Sequence, residues 1–384
     1  MGSKYLVLGA GVGKAITYAL ARSVHTQLVA IGDIDIKKAG GVSCFISARR
    51  KQDGVYYSKC VPMYFDAEKT QNLAEIFKQF DVVISALPAK HNLGLAEAAI
   101  RTSIRTKKKV HFCDLGGVVK ITKQMLKLND KYPNMPVSVI PDCGLMPGLG
   151  IIIAKKLMND LGGADSIEIL VGGLPQKPRP PVFYQCVFSI EGLKHICYDS
   201  APVLINGKVK LVPPFYDYEL MMVPELAKFS KTFGGMVETF ATAGASMAHL
   251  SFQKDGVKYF SEKTVRRPGF VSFCKKIPPD RFEETIMPHI NTPVDSKNPD
   301  LVWMQVTAQN GSANKSVSLL DLFDPETGLT AMQRTTGFTT AIIAEMIAEG
   351  KAKPGVNTPE NAFDDSGINE VIDRVGDFLT LKEN

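Results

Sequence analysis

The chain has 384 residues, of which 45% are apolar and 22% charged, with a formal net charge of +6 at pH 7. That length suffices for two domains with their own apolar cores, and the balance excludes both a disordered chain and a small disulfide-stapled scaffold. The basic clusters Arg49-Arg50-Lys51 and Lys107-Lys108-Lys109 lack interleaved aromatics, so they read as solvated turns and no nucleic-acid partner is expected. The seven cysteines form no C-x-x-C pair, which argues against a metal site and for a reducing compartment. No apolar run reaches the ~18 residues of a membrane span and the N-terminus shows no leader pattern, so a cytoplasmic protein with no membrane partner is the expectation.

The first strand, Tyr5-Leu6-Val7-Leu8, breaks into Gly9-Ala10-Gly11-Val12-Gly13 and then a crossover helix expected over Lys14 to Arg22. Glycines at a strand-to-helix turn let the backbone approach a pyrophosphate, and the following helix offers amides and the positive end of its dipole. Gly9, Gly11, Val12 and Gly13 are therefore candidate cofactor contacts. Asp33 ends a second apolar run, Leu28 to Gly32, roughly 20 residues on, the distance at which a carboxylate bonds the adenosine ribose. A carboxylate suits a free 2′-hydroxyl and repels a 2′-phosphate, so NAD is read over NADP, while Lys37 and Lys38 keep NADP open. The strict G-x-G-x-x-G spacing would place its third glycine at Lys14, so the turn reads one residue short. A triphosphate-binding loop would need glycine at Leu8 and a hydroxyl at Ala15, and is excluded.

Three further apolar runs, Asp81 to Pro88, Val110 to Asp114 and Val137 to Asp142, alternate with helical segments, the pattern of a doubly wound parallel sheet. Ligands bind beyond the carboxyl ends of such strands. Ser85, Ala86, Leu87, Pro88 and His91 should line the cofactor crevice, and Asp114 and Asp142 should lie near the nicotinamide. From about Gly172 the texture changes. Gly172-Gly173-Leu174-Pro175 and Pro178-Arg179-Pro180-Pro181 interrupt any regular element, and an antiparallel β domain follows. Its clearest hairpin joins Leu301 to Gln309 with Asn314 to Leu320 through Asn310-Gly311. Val302, Met304, Val306 and Ala308 should face a core, leaving the other face to solvent or to a second subunit. The tail carries two helical apolar stripes, Phe338, Ile342, Ile343, Met346 and Ile347, then Ile368, Val371, Ile372, Val375 and Phe378. Both are expected to dock on the N-terminal domain.

Several blocks resemble, in order, those of the saccharopine dehydrogenase-like oxidoreductases, closest to the L-lysine 6-dehydrogenases. Pro141-Asp142-Cys143-Gly144-Leu145-Met146-Pro147-Gly148 is similar to the family's D-x-G-x-x-P-G loop. Val171-Gly172-Gly173-Leu174-Pro175, running on through Tyr184 to Phe188-Ser189-Ile190-Glu191-Gly192-Leu193, is similar to a second block, Lys263-Thr264-Val265-Arg266-Arg267-Pro268-Gly269 to a third, and Arg334 to Thr339 to a fourth. The resemblance implies an α/β protein: a Rossmann doubly wound sheet over residues 1–145, with C-terminal helices of 331–384 packing back on it, and an α+β substrate-binding and dimerisation domain over 146–330. Phe270 departs from the histidine that lysine 6-dehydrogenases tend to carry there, which leaves the amine substrate open.

The implied chemistry acts on a carbon–nitrogen bond and needs a neutral nitrogen, a hydride leaving toward nicotinamide, and stabilisation of the iminium formed. Asp142 or Asp114 can take the ammonium proton or hold the developing cation; the alternative for each is to cap a strand end. Cys143 is read as lining this catalytic site, not as a nucleophile. Arg266 is the candidate clamp on a substrate carboxylate, with Arg334 as second candidate and Thr242, Gly244 and Tyr184 beside it. Arg266 could equally sit in a surface ion pair and Tyr184 in the core. The six histidines show no metal spacing. The leading expectation is oxidative deamination of the L-lysine 6-amine to a semialdehyde that cyclises. Dehydrogenation of a saccharopine- or carboxynorspermidine-type secondary amine, and a non-catalytic dinucleotide sensor, are the alternatives. A homodimer or higher homo-oligomer is expected.

Overall fold

A computed structural model describes residues 2–53 and 57–383. The chain divides into two compact units, Met1–Leu149 with Thr336–Phe378, and Gly150–Thr335 with Leu379–Asn384.

The first unit is built on strands β1 (Ser3–Leu8), β2 (Thr26–Asp33), β3 (Lys59–Tyr64), β4 (Val82–Ser85), β5 (His111–Asp114) and β6 (Ser138–Ile140). With the short strand Gly355–Val356 beside β6 they form an all-parallel sheet in which β1 lies between β2 and β4. The chain winds outward through β2 and β3 on one side and through β4, β5 and β6 on the other. The switch point for a ligand therefore falls between β1 and β4. β3 has no sequence signature, because Pro62 interrupts it and its residues are half-buried at best; the edge position explains both, since an edge strand tolerates a missing donor.

The first helix, Ala10–Arg22, begins four residues before the expected start. Only Gly9, at φ 98°, makes the turn. Gly13 lies inside the helix, where a Cβ would stand 3.0 Å from Val7 Cγ1 and 3.4 Å from Ile31 Cδ1. It therefore provides a close helix–sheet contact of the kind that the third glycine of the strict spacing supplies. Lys14 instead lays its ammonium 4.2 Å from the Phe45 ring centre.

The tail helix Ala331–Ala348 buries Phe338, Ile342, Ile343, Met346 and Ile347. Its contact with the first helix is close: a Cβ on Gly337 would sit 2.7 Å from Ala15 Cβ and 3.0 Å from the Ile16 nitrogen. The helix Asp365–Gly376, capped by Asp364 accepting the Gly367 N–H at 2.8 Å, buries Ile368, Val371 and Val375. Phe378 stacks 4.9 Å from Phe338. The last residues do not follow these helices. Leu381–Glu383 pairs with the second unit's sheet, whose outer strand would otherwise be left open.

That second sheet has nine strands: β7 (Ser166–Pro175), β8 (Ala201–Ile205), β9 (Lys208–Val212), β10 (Glu219–Met222), β11 (Met236–Ala241), β12 (Tyr259–Arg266), β13 (Asp300–Asn310), β14 (Ala313–Leu322) and Leu381–Glu383. The pairing is mixed, because β7 and β12 run parallel while the other pairs are antiparallel. Gly172 and Gly173, expected to end any element, lie inside the central strand β7. A Cβ on Gly172 would meet the Val265 carbonyl oxygen at 2.5 Å, and one on Gly173 would meet Val187 and Met332 below 3 Å, so these glycines serve close packing. The hairpin pairs Asn310 with Ala313, so its turn residues are Gly311 and Ser312, not Asn310 and Gly311. Glycine in the left-handed region at the first turn position suits a II′ hairpin. Val302, Met304, Val306 and Ala308 are buried, but so are Leu301 and Trp303 on the opposite face, covered by Val223, Leu226 and Phe229. Both faces of β13 are thus occupied at its start.

Close approach at Gly337 predicts that Gly337→Ala destabilises the protein by about 1–3 kcal/mol, lowering Tm by roughly 2–10 °C. Gly41→Ala, in open space within the helix Ile36–Asp53, should raise Tm slightly. Thermal melts of the two variants check both signs.

Candidate functional site

Three strand ends of the first unit meet at the switch point. The Gly9 N–H donates to Gly32 O at 2.7 Å, the Ala86 N–H donates to Leu8 O at 2.7 Å, and a Cβ on Gly9 would lie 2.6 Å from Ala86 O. Asp33 receives the first helical amide, Ala10 N–H, on Oδ2 at 2.8 Å and the Asp35 N–H on Oδ1 at 2.9 Å. Its negative charge therefore sits at the positive end of the helix, and each oxygen keeps a lone pair. The helix's first turn carries no acidic residue, Gly11 is exposed, and a Cβ there would meet nothing within 4 Å. These residues fit a dinucleotide: an open backbone for the pyrophosphate and a carboxylate for the ribose. Val12, Ala86, Leu87 and His91 are half-buried and Pro88 is exposed along the same strand ends. Two expected cofactor contacts lie elsewhere. Gly13 is enclosed by Val7 and Ile31, and Ser85 is fully buried, donating from Oγ to Asn92 Oδ1 at 2.7 Å. Both hold the scaffold because the helix and sheet close over them.

At the ends of β5 and β6, Asp114 and Asp142 come together, each 1% exposed. Asp114 Oδ1 accepts the N–H of Gly116 at 2.7 Å and of Asp142 at 3.3 Å, while Thr122 Oγ1 donates to Asp142 Oδ1 at 3.1 Å. Asp142 stands at φ 66°, a left-handed conformation that Asp tolerates better than most residues. Gly116 is required opposite it, since a Cβ there would fall 2.0 Å from Asp142 Oδ1. Burial, reinforced by the Asp142 charge, pushes the Asp114 carboxyl up to about 8, against the pull of the two amides and Asn92. Asp114 is therefore neutral at pH 7, and its bonds show it tying the two loops together. Cys143, expected to line the site, is fully buried in the core and donates its thiol to Ile140 O at 3.2 Å; burial holds that thiol well above its usual value. Thr340 of the tail helix donates to Cys143 O at 2.9 Å and anchors the loop from behind.

In the second unit, Thr242, Gly244, Tyr184 and Arg266 gather around two carboxylates that sequence reasoning missed, Glu238 and Glu262. Alternation along β12 puts Glu262, Thr264 and Arg266 on one face, and the pairing of Glu238 with Arg266 adds Glu238 and Phe240 from β11 and Thr242 just beyond its end. Glu262, Thr264, Arg266, Glu238 and Thr242 are all buried. Glu262 Oε2 accepts Thr242 Oγ1–H at 2.5 Å and Gly244 N–H at 2.9 Å, and burial pushes its carboxyl up to about 7. Glu238 accepts the N–H of Val271 at 2.6 Å and of Gly269 at 3.3 Å, which fixes the turn after Arg267. The Arg266 guanidinium lies 4.7 Å from the Tyr184 ring centre and 5.4 Å from that of Phe270, with NH1 donating to Val265 O at 2.7 Å. Buried Arg266 Nε and Tyr184 Oη have no hydrogen-bond partner. Phe270 thus serves as a wall of this cluster. Period-two spacing of charges within apolar strands was the available signal for Glu238 and Glu262.

Arg334 does not join them. Its guanidinium is held by Asp321 at 2.8 and 3.1 Å and by Asp324 at 3.4 Å, an ion-pair network that fastens the start of the tail helix to β14 and the turn after it. Lys263 likewise projects to the other face of β12, toward Glu168, Asp217 and Glu219. Among the described residues no cluster of metal-ligating side chains occurs, and no helix is long and apolar enough to cross a membrane. All seven cysteines are free thiols.

The Asp114 carboxyl makes stability depend on pH. Its folded value lies above its ordinary 3.8, so between about 4 and about 8 the unfolded chain has released this proton and the folded chain retains it. Stability should fall as pH rises through that window, with Glu262 and Asp300, raised to about 7 and about 6, contributing in the same sense. Asp114→Asn should flatten the slope, as read from urea midpoints across that pH range.

Comparison with known proteins bears on this arrangement. Residues 5–140 match the family model of the saccharopine dehydrogenase NADP binding domain, and residues 144–377 that of the saccharopine dehydrogenase C-terminal domain. The saccharopine dehydrogenase (L-Glu forming) of Saccharomyces cerevisiae superposes over 100% of both chains with a TM-score of 0.72 at 15% identity, a likeness of fold. A probable dehydrogenase from Thermotoga maritima aligns far more loosely, at a TM-score of 0.41 and 11% identity over 96% of this chain and 93% of that one. Among curated proteins, the alpha-aminoadipic semialdehyde synthase of Arabidopsis thaliana is 27% identical over 150 residues, 38% of this chain but only 13% of that protein's length. With both of its halves matched in order, the chain belongs to the saccharopine dehydrogenase family.

Proposed function

We propose that the chain is a nicotinamide-dinucleotide-dependent oxidoreductase acting on a carbon–nitrogen bond of an amino acid, with the 6-amine of L-lysine as the leading substrate. The observation that carries this reading is the Asp114–Asp142 pair at the carboxyl ends of β5 and β6, on the strand-end side of the sheet that also holds the Gly9 turn and Asp33. When bound, the nicotinamide accepts a hydride. The chain's own groups do the rest. Asp142, aligned by Thr122, holds the proton or the positive charge of the reacting nitrogen, and the neutral Asp114 behind it lets the pair carry a single negative charge. In the second unit, considered by itself, Arg266 is the group that matches an amino-acid carboxylate. Asp33 favours NAD, whereas the matched family model is named for NADP, so both cofactors belong in the assay.

A second reading, oxidation or formation of a secondary amine of the saccharopine kind, is favoured by the names of the matched family and of the yeast enzyme. Absorbance of reduced nicotinamide with lysine and with saccharopine, with free ammonia assayed in parallel, separates the two. Reduction with lysine and equimolar ammonia supports deamination. Reduction with saccharopine alone, without ammonia, supports the second reading, and no turnover with either overturns both. Asp142→Asn should lower kcat by roughly 10²- to 10⁴-fold while the cofactor dissociation constant changes little.

A further inference from the structure

The row of buried charges on β11 and β12 has more in it than a carboxylate clamp. Arg266 presents a cation whose Nε lacks a hydrogen-bond partner, and four residues along the same face Glu262 presents a carboxylate. At about 3.4 Å per residue their Cα atoms are about 14 Å apart, with small Thr264 between them. The pair thus presents one buried charge of each sign, the complement of a zwitterionic head group. Both hydrogen bonds to Glu262, from Thr242 Oγ1–H and Gly244 N–H, fall on Oε2, so Oε1 keeps its accepting capacity. Gly244 is glycine for that seat, since a Cβ would stand 2.8 Å from Oε2. Glu238, the other carboxylate of the row, is spent on the Val271 and Gly269 amides. The Tyr184 ring flanks Arg266, and its hydroxyl, buried without a hydrogen-bond partner, offers a further polar contact.

We infer that Glu262 recognises the α-ammonium of a zwitterionic amino acid whose carboxylate is held by Arg266, so that the second unit selects substrates by their α-amino-acid head group. This inference rests on the amino-acid reading above and adds a specificity-determining residue to it. An α-ammonium donating to Oε1 adds a charge-assisted hydrogen bond to a buried carboxylate otherwise held by Thr242 and Gly244, so ligands lacking that ammonium lose this contact.

The test is calorimetric binding of lysine, saccharopine, 6-aminohexanoate (no α-ammonium) and cadaverine (no carboxylate) to the full chain, run separately from turnover. The wild type should bind lysine or saccharopine at least 10-fold more tightly than either truncated analogue. Glu262→Gln should weaken the zwitterion by roughly 10- to 100-fold and leave 6-aminohexanoate within about threefold. Thr242→Val, which removes only the bond aligning Glu262, should weaken it less and guards against misfolding of the first variant, with Tm recorded for both. Equal binding of lysine and 6-aminohexanoate by the wild type, or an unchanged preference in folded Glu262→Gln, overturns the inference while turnover stands. Head-group preference lost in Glu262→Gln without any turnover upholds it and removes only the reaction. If no amino acid binds the wild type, both fall.

Discussion

A parallel sheet must be covered on both faces, because its crossover connections place helices there and its strands are apolar throughout. In the first unit that requirement reaches across the whole chain. The first helix reaches the sheet through Gly13, against Val7 and Ile31, and the tail helix reaches the first helix through Gly337, against Ala15 and Ile16. The first unit is thus completed by residues from both ends of the chain. The same tail holds the site in shape, since Thr340 bonds the Cys143 carbonyl next to Asp142.

Both units accept buried charge, and in each case backbone amides make it tolerable. Asp114 receives two N–H groups and stays protonated at neutral pH; Glu238 receives two, and Glu262 one together with a hydroxyl. Desolvation raises the carboxyl values of Asp114, Glu238 and Glu262, which destabilises the folded state as pH rises. Such groups can change charge when a cationic ligand arrives, and this is the physical basis of the proposed chemistry at an amine. Arg334 shows the contrasting use of charge. Held by Asp321 and Asp324, it contributes to the frame.

Much of the frame was legible because it depends on local period. The runs ending at Leu8, Asp33, Pro88, Asp114 and Asp142 announced five of the parallel strands, and the two tail stripes announced their helices. The glycine turn and Asp33 were readable as one device, and the structure links them by the Ala10 amide. Where reading by residue type went astray, a glycine or proline usually served tertiary contact. Gly172 and Gly173 lie in a central strand because neighbouring backbone and side chains leave no room for a Cβ, and Pro62 sits in β3 because that strand is an edge.

The sequence by itself determined the types of the strongly periodic elements, the strand-end position of Asp114 and Asp142, and the location of the glycine turn after the first strand, since each follows from periodicity or turn chemistry within a few residues. Tertiary structure alone decided that Asp114 and Asp142 share a buried pocket of hydrogen bonds, that Cys143 turns into the core, that Arg334 is held by ion pairs, and that Glu238 lies opposite Arg266. The reason is register: which side chains meet on a sheet face depends on how β11 and β12 align, and no local pattern specifies the pairing of strands separated by a helix and two loops.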